Sequence, residues 1–404
     1  MPGRDDGSRL SPVRVLDLEL TALEPLSGLE RYVEVQALVR DGGAPVGWVT
    51  LPVTNGEVPR RTVERAVAAY AQRERKVESA PRALPSLTVA VCSRDRTEDL
   101  SRCLEALEHL EPAADELLVV DNAPTSDETE RLVRERHPAV RYVREAKPGL
   151  DHARNRAVAE VTTDIVAFTD DDVIVDAGWA HALAAAFGAD PEAVAVTGLV
   201  VPWELETDAQ VLFERYRSFA RGFAPERAQA DPAVGPIGWR YGNTGRLGTG
   251  ANMAFRRDVF DRVGLFDPAL GAGSVARAGD DLEMFFRLLK AGGAIRYQPS
   301  AVVRHRHRRT LNDLQAQMAD TGMGFSASLV RAARLHPGER GPLLRLWCWW
   351  AAKLLYRAIR PSGEPAAILR GLARAELSGA VRGLGRYRQA RAASLAAPRT
   401  LTPV

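Results

Sequence analysis

The stretch VAFTDDDVIV (residues 166–175) places three consecutive aspartates, Asp170 to Asp172, between two runs of apolar residues rich in valine. Short apolar runs of this kind predict buried strands, so the aspartates fall at the carboxyl end of a strand. Three adjacent carboxylates repel one another, and Mg²⁺ or Mn²⁺ would compensate them, because both ions prefer carboxylate oxygen. An acidic loop without a metal fits the bare pattern equally well, so the surrounding sequence must discriminate.

Strand-like and helix-like segments alternate from Leu87 to about residue 202, joined by short loops. This alternation predicts right-handed β-α-β crossovers and an α/β fold with a mostly parallel sheet. Ligands bind beyond the carboxyl ends of the strands in such sheets. The polar blocks SRDR (93–96) and DNAPTSD (121–127) follow two earlier strands, so we expect them at the same edge as the aspartates. The sequence lacks G-x-G-x-x-G and G-x-x-x-x-G-K-[ST], which disfavours dinucleotide-binding and P-loop classes.

An acidic pair and two histidines occur further along the chain, after the aspartate triplet. The segment DDLEMFFRLLK begins with Asp280 and Asp281 and predicts an amphipathic helix. One aspartate there would serve as an ordinary cap, whereas a pair beside a glycine-rich loop also suggests chemistry. In RHRHRR, His305 and His307 would share one face of a strand, and imidazole is an acceptable Mn²⁺ ligand. A solvated basic turn is the alternative interpretation.

Taken in order, the blocks DNAPTSD, PGLDHARN, FTDDD, GTGANMAFRR, GLFDPALGAG, GDDLEMFFRLL and VVRHRHR resemble family 2 glycosyltransferases with the GT-A fold, over about residues 87–310. The resemblance implies a Rossmann-like, mostly parallel sheet flanked by helices. It also implies metal-dependent, inverting transfer of a sugar from a nucleotide diphosphate sugar to an acceptor hydroxyl. The process served would be glycan, cell-surface polysaccharide or glycoside biosynthesis.

The resemblance assigns roles to individual residues by motif position. Asp170 and Asp172 would hold Mn²⁺ or Mg²⁺, with His305 as the third ligand. Asp281 would be the catalytic base, preceded by Asp280 where the family usually has glutamate.

The expected donor and acceptor contacts follow from the same comparison. Donor contacts are expected from Ser93, Arg94, Asp121, Arg154, Asn155, Asp170 and Asp171. Asp95 replaces the asparagine that is typical of the family's first turn, a departure that could affect donor choice. The glycine-rich loop YGNTGRLGTGAN would bring Gly250 and Asn252 near the acceptor, although such a loop can also be merely flexible.

The expected partners are small molecules. The donor nucleotide would be UDP, the commonest in the family, with dTDP or GDP as alternatives. The acceptor would be a glycan, a lipid-linked acceptor or a small molecule, and no nucleic-acid partner is expected. Two other functions stay open. One is a non-catalytic module of the same fold that binds a nucleotide sugar or glycan; the other is a nucleotidyltransferase, disfavoured because VCSRDRTED has neither glycine nor lysine.

We expect three regions in the chain: a small β-rich accessory domain (1–80), the catalytic domain (81–330) and a basic helical region (331–404). Three strands, a turn at DGG (41–43) and a helix over 62–76 are predicted in the first region, for which no chemistry is predicted. The last region has 14 Lys/Arg and 3 Asp/Glu. Its segment LLRLWCWWAAKLLYRAIR would either lie on anionic lipid or pack over the catalytic domain.

Composition predicts a cytoplasmic protein. The three cysteines are widely spaced and lack CxxC spacing, which favours a reducing compartment. The segment MPGRDDGSRL has no apolar core like that of a signal peptide, and the longest apolar stretch is too short to span a bilayer. Peripheral contact with the inner face of the cell membrane through the basic helices is left open.

Overall fold

A small β-rich unit, a larger α/β unit and three long C-terminal helices make up the protein. The computed structural model describes residues 10–71, 83–231, 233, 235–360 and 366–396. The first unit contains β1 (Val13–Glu19), β2 (Glu34–Asp41), β3 (Ala44–Pro52) and α1 (Arg60–Ala71). The predicted hairpin turn at 41–43 is confirmed, since β2 and β3 are adjacent and antiparallel. Residues 72–76 of the predicted helix lie outside the described residues.

The α/β unit contains strands β4 to β12 and helices α2 to α9. The strands are β4 (Leu87–Ser93), β5 (Glu116–Asn122), β6 (Arg141–Glu145), β7 (Ile165–Asp170), β8 (Val173–Val175), β9 (Ala193–Pro202), β10 (Glu226–Gln229), β11 (Asn252–Arg256) and β12 (Ala294–His305). The helices are α2 (Thr97–Glu108), α3 (Glu128–Arg136), α4 (Leu150–Glu160), α5 (Trp179–Ala189), α6 (Asp208–Tyr216), α7 (Gly238–Tyr241), α8 (Val259–Val263) and α9 (Asp280–Lys290).

The central sheet has the order β10-β12-β9-β11-β7-β4-β5-β6, with β8 paired to β12. Strands β7, β4, β5 and β6 are parallel, and β9 is parallel to β12. Strand β11 is antiparallel to both of its neighbours. Both faces are covered, one by a cluster that includes Phe168 and Phe285, the other by a cluster that includes Leu104 and Phe187. Burial on both faces accounts for the continuous apolar strands, and the predicted α/β architecture is confirmed.

Strand register places the polar blocks at one edge of the sheet. Ser93 pairs with Asp121 across β4 and β5, and Cys92 pairs with Asp170 across β4 and β7. Because these parallel strands end together, their following loops converge.

The accessory unit packs against the α/β unit. In its sheet, β1 is parallel to β2, and one sheet face buries Val39 and Leu51 against Val67 of α1. The Val13 amide donates to the Leu205 carbonyl at 2.8 Å, and Arg304 pairs with Asp17 at 2.8 Å. Leu38 of β2 is also buried against Leu199 of β9, so apolar, hydrogen-bonding and ionic contacts hold this unit against the central sheet.

The C-terminal region consists of α10 (Leu311–Leu335), α11 (Arg340–Ile359) and α12 (Ala366–Ala396). The domain boundary predicted after residue 330 lies within α10, which continues unbroken. Helices α10 and α12 touch backbone to backbone: a Cβ at Gly379 would lie 1.8 Å from the Ala319 oxygen. The Tyr387 hydroxyl of α12 donates to Asp267 at 2.8 Å. Among the described residues, none of the helices has the length and hydropathy to cross a bilayer.

Candidate active site

A cavity of about 390 Å³ opens at the carboxyl ends of β4, β5 and β7, within the usual size of small-molecule sites. Its lining includes the loop after β4, the aspartate triplet, the start of α4 and the end of β12. The lining side chains include Ser93, Arg94, Arg96, Asn122, Asp170, Asp171, Asp172, Phe219 and His305. The three polar blocks that were predicted to converge therefore do converge.

Asp170, Asp172 and His305 form a compact group of potential metal ligands. One ligand atom from each lies within 4.8 Å of the others. Strand β8 brings them together, because it pairs with β12 in a register that sets Val173 opposite His305. Two carboxylate oxygens and one imidazole nitrogen suit Mn²⁺, a hard cation that also accepts nitrogen. The residues present therefore fit the predicted ion.

His305 is held in place by a chain of side chains behind it. Its Nδ1 lies 3.3 Å from Nδ1 of His307, whose Nε2 lies 2.7 Å from Oε1 of Glu214. Such outer partners orient a ligating imidazole. Burial lowers the pKa of His305 to about 4, so the ring is neutral at pH 7 and offers a lone pair.

The three aspartates have different surroundings. Asp171 accepts hydrogen bonds from Ser93 Oγ at 2.8 Å and from Arg96 at 2.5 Å, which occupy its carboxylate. Burial, with the nearby charge of Asp172, raises the pKa of Asp170 to about 7. Burial opposes charge on Asp172, but His305 and Arg96 outweigh it and lower the pKa of this carboxyl. Arg96 thus neutralises part of the repulsion that the triplet creates.

Arg154 connects the aspartate triplet to the acidic pair on α9. Its guanidinium donates to Asp280, and its Nη2 lies 3.9 Å from Asp170. Asp151, one turn earlier on α4, is buried within 3.7 Å of the same guanidinium, and neither of its oxygens has a hydrogen-bond partner among the described residues. Burial and the charge of Asp280 raise the pKa of Asp151 well above its usual range.

Asp281 is half-buried and lies next to the pair formed by Arg154 and Asp280. Its two oxygens accept the backbone amides of Gly250 at 2.9 Å and Leu282 at 2.7 Å, which fix the carboxylate in one orientation. Burial and the adjacent Asp280 raise the pKa of Asp281 to about 6. A carboxylate with a pKa near neutrality can accept a proton during a reaction.

The structure places the other predicted contacts in two groups. Ser93 and Arg94 line the cavity, and Asp121 lies beneath it, fully buried, accepting from the Tyr142 hydroxyl at 2.8 Å. Asn155 instead exchanges two hydrogen bonds of 2.9 Å with the backbone of Phe266. Its amide positions α4, and the donor contact expected of it stays a prediction.

Asn252 requires a correction to the acceptor prediction. This side chain is fully buried and accepts from Trp179 Nε1 at 2.9 Å. It also donates to the carbonyls of Leu199 and Ala301, at 3.0 and 2.8 Å. Since these bonds occupy the amide inside the core, Asn252 has no free group to offer an acceptor. Gly250, whose amide donates to Asp281, keeps its place beside the site.

Sequence reasoning placed Arg96 at the site without predicting its pairing with Asp171, and it missed Asp151 and Glu214. Arg96 belongs to the quoted block SRDR, so an arginine three residues after the strand was a usable signal. Asp151 lies in PGLDHARN, but nothing in the sequence shows that α4 buries it. Glu214 comes from α6, more than 90 residues before His307, and no local pattern connects the two.

Two curated proteins show sequence similarity over about 190 residues. The chain is 30% identical over 192 residues to a pre-mycofactocin glycosyltransferase of Mycobacterium tuberculosis, covering 48% of this chain and 36% of that protein. It is 26% identical over 192 residues to a glucosyl-dolichyl phosphate glucuronosyltransferase of Haloferax volcanii, covering 46% and 56%. The chain thus spans about a third to a little over half of the length of these relatives.

Solved structures that the chain partly resembles include two glycosyltransferases. A mannosyltransferase from Pyrobaculum calidifontis, in complex with GDP-Man and Mn²⁺, is 21% identical, with a TM-score of 0.47 and coverage of 83% and 82%. Glucosyl-3-phosphoglycerate synthase from Mycobacterium tuberculosis, with Mn²⁺ and UDP, is 19% identical, with a TM-score of 0.41 and coverage of 61% and 79%.

The central part of the chain identifies its family. This part contains the sheet, the aspartate triplet and the acidic pair. Residues 85–324 match the model of the family described as "Glycosyltransferase like family 2". That segment is more than half of the 404 residues. The resemblance seen in the order of the sequence blocks is therefore confirmed, and the chain belongs to the family 2 glycosyltransferases.

Proposed function

We propose that the protein is a metal-dependent, inverting glycosyltransferase that uses a nucleotide diphosphate sugar. The observation that carries the proposal is the separation of two acidic groups by Arg154. On one side Asp170, Asp172 and His305 lie close enough together to hold a cation. On the other side Asp281 is a fixed carboxylate with a pKa near 6. A displacement with inversion needs this division between a leaving-group side and a base side.

On the leaving-group side, Asp170, Asp172 and His305 would hold Mn²⁺ or Mg²⁺. A divalent cation there would neutralise the charge that develops on the diphosphate as the glycosidic bond breaks. The neutral imidazole and the ionised Asp172 are ready to bind without first losing a proton. Asp171 stays with Ser93 and Arg96, and orders the loop that would contact the donor.

On the base side, Asp281 would accept the proton of the acceptor hydroxyl. The oxygen of that hydroxyl would form the new bond to the sugar carbon as the bond to the diphosphate breaks on the opposite face. The Gly250 and Leu282 amides hold the carboxylate still, and Arg154 holds Asp280 beside it. Preorganised hydrogen bonds of this kind avoid reorganisation during the reaction.

The donor would be a sugar linked to UDP, with dTDP and GDP as alternatives. Support comes from the similar structures, which were solved with GDP-Man or with UDP. Asp121 is buried at the end of β5, and its second oxygen has no partner among the described residues. This oxygen and Ser93 would approach the nucleoside end of the donor. The acceptor would be a glycan, a lipid-linked acceptor or a small molecule.

A thermal-shift panel tests this function. The protein would be heated with Mn²⁺ and UDP-, dTDP- and GDP-sugars in turn, because a ligand that binds the folded state raises the melting temperature. We expect one donor to stabilise the protein only when Mn²⁺ is present. The anomeric configuration of its transferred sugar, read by NMR, should be opposite to that of the donor. Absence of stabilisation by any of the donors would contradict the proposal.

We also propose peripheral contact between α11 and an anionic membrane surface. The outward face of α11 exposes Leu344 by 62%, Tyr356 by 57% and Ile359 by 66%. Lys353 and Arg360 flank this face and stack on Trp349 and Tyr356, respectively. Apolar side chains bordered by cations match the interface of a bilayer that contains acidic lipid. The protein would then act at the inner face of the cell membrane.

A further inference from the structure

A second cavity, of about 470 Å³, lies between the accessory unit and the catalytic unit. One wall is the sheet of β2 and β3, and the other is formed by the end of β9, α6 and the segment after α6. The residues that matter are Glu34, Gln36, Trp48, Thr50, Glu214 and Phe223. We call this cavity the interdomain cleft. It lies outside the segment that matches the family on one side, since β2 and β3 precede residue 85.

The strand geometry explains why the cleft is polar and aromatic. Gln36 pairs with Thr50 across β2 and β3, and side chains two residues apart share a face. Glu34, Gln36, Trp48 and Thr50 therefore all project from the sheet face opposite to α1. The other face carries the apolar core, including Val35 and Leu51. The face with Gln36 also carries Leu38, which is buried against Leu199 and Val201, and part of Trp48 packs against that cluster. This unit thus uses one face for its own core and turns the other toward the catalytic unit and the cleft.

Several polar groups of the cleft have no protein partner. Among the described residues, no hydrogen bond is made by the Gln36 amide, the Thr50 hydroxyl or the Trp48 indole N–H. Beside them on the same sheet face, Glu34 forms an ion pair of 3.7 Å with Arg215 on the opposite wall of the cleft. Donors and acceptors beside a half-buried indole suit a ligand with several hydroxyl groups and an apolar ring face, which is the chemistry of a pyranose.

The cleft shares a wall with the active site. In the segment after α6, Phe219 lines the catalytic cavity, and its ring centroid lies 5.4 Å from that of His305. Its neighbours Ser218 and Ala220, with Phe223, line the cleft. Glu214 belongs to the cleft as well, while its Oε1 accepts from His307. A molecule in the cleft would therefore lie one chain segment away from the metal ligands.

We infer that the interdomain cleft binds a carbohydrate, namely the part of a glycan acceptor that is remote from the reacting hydroxyl. This inference rests on the proposed glycosyl transfer, and it narrows the acceptor to an oligosaccharide or a glycan-bearing molecule. One sugar ring stacks on Trp48 and bonds to Gln36 and Thr50. The accessory unit then serves as an acceptor-recognition unit.

Saturation-transfer NMR and calorimetry test the inference on the full chain, without Mn²⁺ or donor. The probes are maltose, cellobiose and α-1,6-mannobiose. We expect at least one to bind, and Trp48→Ala to weaken that binding by about tenfold, since an aromatic face contributes much of the contact. Gln36→Ala, which removes only a side-chain amide, should weaken it about fivefold. Trp239→Ala, an exposed tryptophan outside the cleft, is the matched control and should leave it unchanged.

The outcomes separate this inference from the proposed function. If the wild-type protein is stabilised by a nucleotide sugar with Mn²⁺ but binds none of the disaccharides, the cleft assignment is overturned and the transferase proposal stands. Equal affinity in wild type and in Gln36→Ala and Trp48→Ala also overturns it. Should Trp48→Ala fail to fold, Gln36→Ala decides alone, because Gln36 has no partner to lose. Disaccharide binding that is lost in these variants, without any donor response, supports the cleft and rejects the transferase.

Discussion

The Nε2 atom of His305 lies 3.4 Å from Oδ1 of Asp172, although 133 residues separate them. The short strand β8 directly after Asp172 produces this relationship by pairing with β12. A cation between these residues and Asp170 would add its charge to that of Arg96, which already pairs with Asp171 and Asp172.

Replacing Asp172 by alanine should weaken Mn²⁺ binding by about 100-fold or more, because loss of an outer partner alone typically costs 10–100-fold. The His307→Ala variant removes such an outer partner and should lose about tenfold. Titration calorimetry with Mn²⁺ measures both. Asp261→Asn, at a side chain exposed by 71%, serves as control. If Asp172→Ala binds Mn²⁺ with wild-type affinity, Asp172 is not a ligand of the metal.

Replacing Asp281 by asparagine should lower the transfer rate by about 10²–10⁴-fold, the usual contribution of a general base. The amide keeps the size of the carboxylate and can still accept the Gly250 hydrogen bond. Donor affinity in the presence of Mn²⁺ should therefore stay within about twofold of wild type. Initial rates of transfer and donor calorimetry separate the two effects. Turnover near the wild-type rate would assign the base role to another group.

The rate of transfer should rise with pH between about 5 and 7. Asp281 has its pKa raised to about 6 and must be ionised to accept a proton, so activity is lost as the pH falls through that value. The transfer rate measured as a function of pH at saturating Mn²⁺ shows this acidic limb, the part of the profile where activity falls with decreasing pH. The limb should disappear from the residual activity of Asp281→Asn, and its persistence there would show that a different group titrates.

Mn²⁺ should raise the melting temperature more at pH 8 than at pH 6. The pKa of Asp170 is raised to about 7 and that of Asp171 to about 6, so protons compete with the ion at acidic pH. Without metal, the stability of the protein should change with pH in the opposite direction. Raised carboxyl pKa values contribute stability at low pH that is lost as the pH rises through about 6–7. Thermal melts at both pH values, with Mn²⁺ or a chelator, measure the two trends, and an equal Mn²⁺ shift at both would contradict this account.

Sedimentation with vesicles checks the membrane contact. The protein should bind phosphatidylglycerol-containing vesicles but not pure phosphatidylcholine, and the binding should weaken with salt. Ile359→Glu should lower the partition coefficient by about tenfold, since it removes a large apolar side chain from the interface. Glu64→Gln on α1 is a control at an exposed site. No binding at low salt in the wild type would end the membrane proposal.

The order of strands and the convergence of the three polar blocks could be predicted, because hydrophobic period and short connections determine both. Asp170, Asp172 and His305 were found for the same reason, as each lies at or beside a strand end. Asn252 was misplaced because a residue next to glycines looks like part of a loop. It is the first residue of β11, where its side-chain amide is hydrogen-bonded to Trp179 and to two backbone carbonyls.

Contacts made between distant helices could not be predicted. Arg154 and Asp280 are 126 residues apart, and their pairing depends on how α4 and α9 pack. The interdomain cleft was missed because β2 and β3 supply only one wall. Their polar faces look like ordinary solvent-exposed strand faces until α6 is placed opposite.

Because α10 continues without a break past residue 330, the protein cannot be truncated there without cutting this helix. A fragment that stops near residue 330 would leave α10 without the helix that lies against its glycine-lined side and would delete Tyr387, which bonds Asp267. Asp267 follows Phe266, and the backbone of Phe266 makes two hydrogen bonds to Asn155. Asn155 lies on α4, the helix that carries Arg154. We therefore expect such a fragment to express poorly or to lose the geometry of the candidate site, so the C-terminal helices belong in any shortened form of the protein.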